Sequence, residues 1–394
     1  MGRCQRQADN QRHAARGQLP PRRRSLHGTA DMPGCPARLQ PLPQHRANHD
    51  TARTSAHPSH KRPSRQPSPL PRFPLEARHV SVIGLIQRLA LVHLLVIGTA
   101  SAQERRVAIT FDDLPAAIDT GSSAPPLADV AALNRRILDV LRRDKVPATG
   151  FVIEKTVQSL PRDAVRRLLA AWTDGDLSLG NHTYSHADIN GLSLDAIAAE
   201  IDRGDATIRP LMTAANKTLR FVRFPLNHTG ETPARRDAIA DLLRARGYTL
   251  AASTIDTSDY VFERAYGRAL AAGRDADAQR IKAAYLAHSA IQIDYYADLN
   301  RRVLGYAPPE VMLLHLNRIN GTSLPDILAL FRQRGFRFVT LDAAQSDPAY
   351  RAPTRFATPF GPMWGYRWAR DRGVKVDGRL EQEPPDWVIR YAPG

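Results

Sequence analysis

From Arg105 to Leu341, short apolar runs alternate with stretches whose apolar positions recur at helical spacing. The runs Val107–Phe111, Thr149–Ile153, Leu177–Gly180, Leu219–Val222, Thr249–Ser253, Val311–Leu314 and Phe336–Val339 are nearly continuous in apolar character. That pattern suits strands buried on both faces, rather than strands with one wet side. Between them, Leu127–Arg143, Arg162–Trp172, Ser193–Met212, Pro233–Arg246 and Leu324–Arg334 carry the period of amphipathic helices. Seven such alternations predict a parallel sheet covered by helices, and this many units predict closure into a distorted (β/α) barrel; a doubly wound open sheet is the alternative.

Two segments exceed a minimal barrel. Residues 262–305 form an Ala-rich, helix-forming insertion, in which Ile281, Tyr285, Leu286, Ile291, Tyr295, Leu299 and Val303 recur at roughly helical spacing and predict one packed face. After Asp342 the periodicity dissolves into Pro, Gly, Arg and Trp. This tail, 343–394, holds Trp364, Trp368 and Trp387, and reads either as an extended segment laid on the barrel or as a wall of a sugar-binding groove.

Charge changes the picture only at the N-terminus. Of the net charge of +16, residues 1–79 supply +11, with 12 of the 30 prolines, both cysteines (Cys4 and Cys35) and a single aromatic, Phe73. So little apolar surface cannot offset chain entropy, and the segment is expected to be disordered. Without aromatic stacking platforms or a helix-turn-helix, finger or RNA-binding pattern, its charge alone is a poor case for nucleic-acid binding. No cysteine follows Cys35, which excludes a disulfide scaffold. Residues 80–102 have the layout of a signal peptide: Arg88, an apolar stretch Leu89–Gly98, then Ala100-Ser101-Ala102 before Gln103. The run is short for a membrane span, although an uncleaved anchor is the competing reading. Export to a periplasm or beyond is the expectation, with membrane contact only during export and residues 1–79 reading as a mis-assigned start. The folded domain would then occupy 103–342.

The polar residues gather where the strands end, which is where barrel enzymes keep their chemistry. The first strand ends in Thr110-Phe111-Asp112-Asp113, two adjacent carboxylates that repel unless a cation or proton relieves them, though such a pair also suits a turn or helix cap. The third ends in Asn181-His182-Thr183-Tyr184-Ser185-His186. Histidines at i and i+4 project alike from one helical turn, and with a carboxylate from the first strand they make a two-His, one-carboxylate set. The fourth leads to Arg223-Phe224-Pro225, whose buried cation needs an anion such as Asp112; a structural ion pair elsewhere is the alternative. The fifth leads to Asp256-Thr257-Ser258-Asp259-Tyr260 and the sixth to Leu313-Leu314-His315, where a histidine either holds a proton for a leaving group or sits satisfied in the core.

In chain order TFDD, HTYSH, RFP, DTSDY and LLH resemble the five motifs of the polysaccharide deacetylase family, the NodB-homology carbohydrate esterases, over roughly Arg105 to Leu341. The resemblance implies metal-dependent hydrolysis of N-acetyl, or O-acetyl, groups on a glycan. It implies Asp112 as catalytic base; Asp113, His182 and His186 as ligands of one divalent ion, zinc first with cobalt, nickel or manganese as substitutes; Arg223 as the residue positioning Asp112; and His315 as general acid oriented by Asp259 or, second, Asp256. The Leu226 N–H stands as the oxyanion donor and Tyr260 as a pocket wall. Three positions depart from the family pattern: Leu226 and Asn227 stand where it has an aromatic residue and Gly, and Tyr260 stands where it often has Trp. A hydrolase of another non-peptide C–N bond and a non-catalytic glycan-binding protein of the cell envelope are the competing functions. Mass spectrometry of the exported protein is expected to give Gln103 as the first residue; any peptide from residues 1–70 in the mature protein contradicts that.

Overall fold

The computed structural model describes residues 104–118 and 125–391. The readings of residues 1–79 and of the signal peptide lie outside that set. The strands are β1 (Arg105–Leu114), β2 (Ala148–Val152), β3 (Leu177–Asn181), β4 (Phe221–Val222), β5 (Thr249–Leu250), β6 (Ile255–Asp256), β7 (Glu310–His315) and β8 (Phe336–Phe338). The longer helices are α1 (Leu127–Arg143), α2 (Arg162–Ala170), α3 (Leu194–Gly204), α4 (Ile208–Ala214), α5 (Pro233–Ala245), α6 (Asp259–Ala271), α7 (Asp275–Leu304), α8 (Arg318–Gln333) and α9 (Trp364–Asp371). Among the described residues no helix is long and apolar enough to cross a membrane.

All strand pairs are parallel, in the order β5-β4-β3-β2-β1-β7-β6, with β8 joining the start of β1. This is the distorted barrel expected from the sequence. Its closure is unusual. Of the fifth apolar run, 249–253, only Thr249–Leu250 forms a strand, which pairs with β4; the chain then leaves the strand, and residues 255–256, just beyond the run, pair with β7. The two edges of the sheet are therefore joined through the chain itself, without a ladder between β5 and β6.

Local chemistry explains the helices. In α1, Val130, Leu133, Ile137, Leu138 and Leu141 are buried on one stripe, with Asp129 in the first turn and Arg142 and Arg143 in the last, where the helix dipole favours each sign. Ser193, Thr232 and Asn317 cap α3, α5 and α8 by accepting the N–H groups of Ala196, Arg235 and Asn320. The stretch expected as one helix over 193–212 breaks into α3 and α4, because residues 205–207 interrupt the period. Helix α8 begins six residues earlier than its apolar pattern suggests, where Asn317 supplies the cap.

The insertion is two helices, α6 and α7, starting at Asp259. Ile281, Tyr285, Leu299 and Val303 are buried as expected, whereas Ile291 is exposed. The tail is not extended: it forms short helices and α9, and Trp364 and Trp368 are buried in the core. Trp387 is half-buried under the Arg280 guanidinium, 4.2 Å from its ring centre. The tryptophans pack the tail down and do not wall an open groove.

Trp172 is fully buried, meets the Phe111 ring edge-on at 5.7 Å and donates its indole N–H to Asn134 Oδ1 at 2.9 Å. Trp172→Ala is expected to lower stability by about 3–5 kcal/mol, read as a reduced urea midpoint with an unchanged m-value.

Candidate active site

In a regular strand Asp112 and Asp113 would face opposite sides. The register of β1 against β2 shifts between Phe111 and Leu114, and Asp113 takes a left-handed backbone conformation with φ 64°. This bulge turns both carboxylates toward one centre. His182 Nε2 lies 3.3 Å from Asp113 Oδ1 and 3.9 Å from Asp112 Oδ2. His186 Nε2 lies 3.3 Å from the same Asp113 oxygen.

The two histidines do not share a helical turn. Residues 182–188 form a loop in which Thr183 and His186 have φ 68° and 58°. Asn181 shapes it: its Oδ1 accepts the Thr183 N–H at 2.7 Å while its Nδ2 donates to Ile201 O and Asp205 Oδ1. Glu200 accepts the Ser185 N–H and hydroxyl, both at 2.8 Å. The i, i+4 spacing thus converges for a different reason from the one it suggests. Asn181 stood just before the HTYSH stretch as a polar residue at the end of a buried strand, a signal that marks it in retrospect.

His182 donates Nδ1–H to the Arg223 carbonyl at 2.7 Å, since that oxygen can only accept, and this aims Nε2 at the carboxylates. Burial would raise the Asp113 pKa, but the charge of His186 and the nearness of both imidazoles hold it well below the usual carboxylate range. Burial would likewise lower that of His182, and Asp112 and Asp113 overcome it and raise it. Asp113 Oδ1 is buried with no hydrogen-bond partner. Three ligand atoms about 2.1 Å from a zinc-like ion stand roughly 3.0–3.4 Å apart, which the two 3.3 Å separations match. Asp113, His182 and His186 are the group of ligand-type side chains found close enough to hold one ion among the described residues. The residues present therefore fit a divalent cation.

Arg223, fully buried, donates Nη1–H to Asp112 Oδ1 at 2.7 Å and to Thr110 Oγ1 at 2.9 Å, and Nη2–H to Ala252 O at 2.9 Å. Phe151 covers the guanidinium at 4.4 Å. The anion expected of Arg223 is thus Asp112.

Across the centre, Asp112 pairs in register with His315. His315 shares its Nδ1 proton with Asp259 Oδ1 at 2.6 Å. Asp259 Oδ2 accepts the His315 N–H at 2.7 Å and the side-chain amides of Asn317 and Asn320. Burial would depress the His315 pKa, but the Asp259 charge and hydrogen bond, with smaller help from Asp113 and Asp112, push it up to about 10. Asp256 instead accepts the Ser258 N–H at 2.9 Å, and burial pushes its carboxyl up to about 6. Asp259, not Asp256, is the partner of His315. The Tyr260 ring stands edge-on to His315 at 6.2 Å, and burial raises its phenol pKa. Leu226 follows Arg223 in a turn where it and Asn227 are both left-handed, at φ 61° and 54°.

The sequence profile of the family described as polysaccharide deacetylase matches residues 99–250. A chitooligosaccharide deacetylase of Rhizobium leguminosarum bv. trifolii is 36% identical over 109 residues, covering 28% of this chain and 42% of that protein. A chitin deacetylase of Arthroderma benhamiae is 27% identical over 126 residues, covering 32% and 31%. The chain thus spans less than half the length of either relative. A CE4 esterase of Streptococcus mutans is 21% identical over 61% of this chain and 87% of its own, with a TM-score of 0.41, a likeness too loose to carry detail. Residues 99–250, the stretch that matches the polysaccharide deacetylase family, carry Asp112, Asp113, His182, His186 and Arg223, which the barrel gathers at its strand ends.

Proposed function

We propose that this protein hydrolyses acetyl groups, N-acetyl foremost, from a glycan of the chitooligosaccharide type, with a divalent cation held by Asp113, His182 and His186. The observation that carries the reading is the buried Asp113 Oδ1, unpartnered and 3.3 Å from each imidazole Nε2. The names of the two curated relatives support the substrate class.

Asp113, His182 and His186 would hold the cation, which would supply Lewis acidity at this centre. The chain's own residues do the rest. Arg223 occupies Asp112 Oδ1, which leaves Oδ2 turned to the centre to take the proton of the attacking water. The Leu226 N–H receives the charge that develops on the acetyl oxygen as the new C–O bond forms. His315, protonated at neutral pH and held by Asp259, gives its Nε2 proton to the leaving nitrogen as the C–N bond breaks. The products are acetate and a free amine. Tyr260, beside His315, lines the acyl side. The reading includes export of the protein, on the Ala100-Ser101-Ala102 pattern.

An acetate-release screen over acetylated chitooligosaccharides, peptidoglycan and xylan, with and without chelator, tests the class. Turnover that survives chelation removes the cation from the reading, and glycan binding without acetate release favours the envelope-binding alternative. Asp113→Ala and His186→Ala are expected to abolish turnover and metal stoichiometry together.

Two pH effects follow from the charges. A proton on His182 competes with the cation, and its pKa is raised above 6.5, so cation affinity is expected to climb about tenfold per pH unit in the acid range and to level off above that raised value; calorimetry over pH 5–8 measures it. Asp259→Asn removes the strongest cause raising the His315 pKa. The alkaline limb of kcat/KM is expected to move down by at least about one unit, with kcat falling about 10²–10⁴-fold on an amide substrate and less on an activated ester.

A further inference from the structure

The turn that carries the Leu226 N–H is held by the C-terminal extension. Arg367, on α9, is fully buried and spends its guanidinium on that turn and its neighbours: Nη2–H to Asn227 O at 2.8 Å, Nη1–H to Thr229 Oγ1 at 2.7 Å, and Nε–H to Pro362 O at 3.0 Å. Trp364 lies against the same guanidinium at 4.7 Å. Burial pushes the Arg367 pKa down to about 10, and the group stays charged at neutral pH. Gly361 packs on the other side, where a Cβ would overlap the Leu226 carbonyl oxygen. Around this core, Trp364 donates its N–H to Ser253 O at 2.9 Å, Ser253 Oγ donates to Asn227 Oδ1 at 3.2 Å, and Asn190 donates to Pro359 O at 2.9 Å.

Two consecutive non-glycine residues in the left-handed region cost on the order of 1–3 kcal/mol each and persist only where the surroundings fix them. Leu226 and Asn227 are such a pair, at φ 61° and 54°. Here the Asn227 carbonyl is fixed by a buried cation and the Leu226 carbonyl by close contact with Gly361. We infer that Arg367 and Gly361 are positioning residues for the reaction: they set the Leu226–Asn227 peptide planes, and so the aim of the Leu226 N–H at the developing oxyanion. The extension, outside the segment matched by the family profile, thereby completes one wall of the catalytic centre.

This inference rests on the oxyanion role given to Leu226, and the test separates the two. Arg367→Lys, Arg367→Met and Gly361→Ala are compared with the parent full-length protein in three measurements. The first is amide hydrogen exchange of peptides covering 224–230. The second is kcat and KM for an N-acetyl chitooligosaccharide with saturating zinc. The third is affinity for a phosphinate analogue of the tetrahedral intermediate. The expected result is faster exchange in this turn in all three variants. With it, kcat falls about 10²-fold for Arg367→Met and Gly361→Ala and less for Arg367→Lys, KM stays within about threefold, and phosphinate affinity falls by the same factor as kcat. Zinc stoichiometry is unchanged. A merely structural Arg367 would reduce folded fraction and melting temperature while leaving kcat per folded molecule and phosphinate affinity alone, and that outcome overturns the inference. Unchanged exchange in 224–230 also overturns it. If the parent protein releases no acetate from any substrate but exchange in the turn still accelerates in the variants, the clamp on the turn stands and the reaction assignment falls. Gly361→Ala keeps the test decisive should Arg367→Met not fold, because it disturbs the turn without removing a buried charge.

Discussion

A carboxylate at the end of a buried strand needs a fixed partner, and for Asp112 that partner is the Arg223 guanidinium at 2.7 Å. Much of the site is organised around this pair. Arg223 also binds Thr110 on β1 and the Ala252 carbonyl, so one planar group ties three regions of the barrel together. Its own backbone carbonyl fixes the tautomer of His182. Burying an ion pair is costly unless every remaining donor and acceptor is used, and here the surrounding backbone and Phe151 take up most of that requirement. With one oxygen of Asp112 committed to Arg223, its other oxygen and the whole of Asp113 remain for chemistry.

The bulge in β1 does the complementary work. A regular pleat would have sent one of the two aspartates into the helix layer. One left-handed residue at Asp113 brings both to the same centre, and similar residues at Thr183, His186, Leu226, Asn227 and Ser258 surround it. Strained backbone concentrated in this way is a feature of sites whose geometry is set in advance of binding. The same strain explains why the turns around the centre depend on side chains such as Asn181 and Arg367.

The barrel and the polar cluster at its strand ends were readable because apolar strands end abruptly in polar residues: Asp112 and Asp113, His182, Arg223, Asp259 and His315 all stand at or just beyond such endings. What the chain did not disclose falls into three physical kinds. Backbone conformation was hidden: Asp and His enter the left-handed region more readily than most residues, but nothing in the sequence singles out Asp113 and His186 from the others that do not. The end of β5 after Leu250 and the separate strand β6 were hidden, because Ala251-Ala252-Ser253 continues the run past the break. The role of the tail was hidden too: Arg367 meets backbone carbonyls and one hydroxyl, partners that no spacing of side chains can reveal. The tryptophans there looked like sugar platforms and are packing.

The break after β5 has a consequence for how the molecule is assembled. Where a sheet closes through its own chain, a few peptide groups have no neighbouring strand to claim them. Ala252 offers its oxygen to Arg223 and its N–H to the Gln345 side chain, Leu250 receives the Gln345 amide, and Ser253 receives Trp364. The gap in the weave thus works as a set of sockets, filled from one side by Arg223 and from the other by the segment downstream of the barrel. An incomplete closure lets residues more than a hundred positions apart register on the same few atoms.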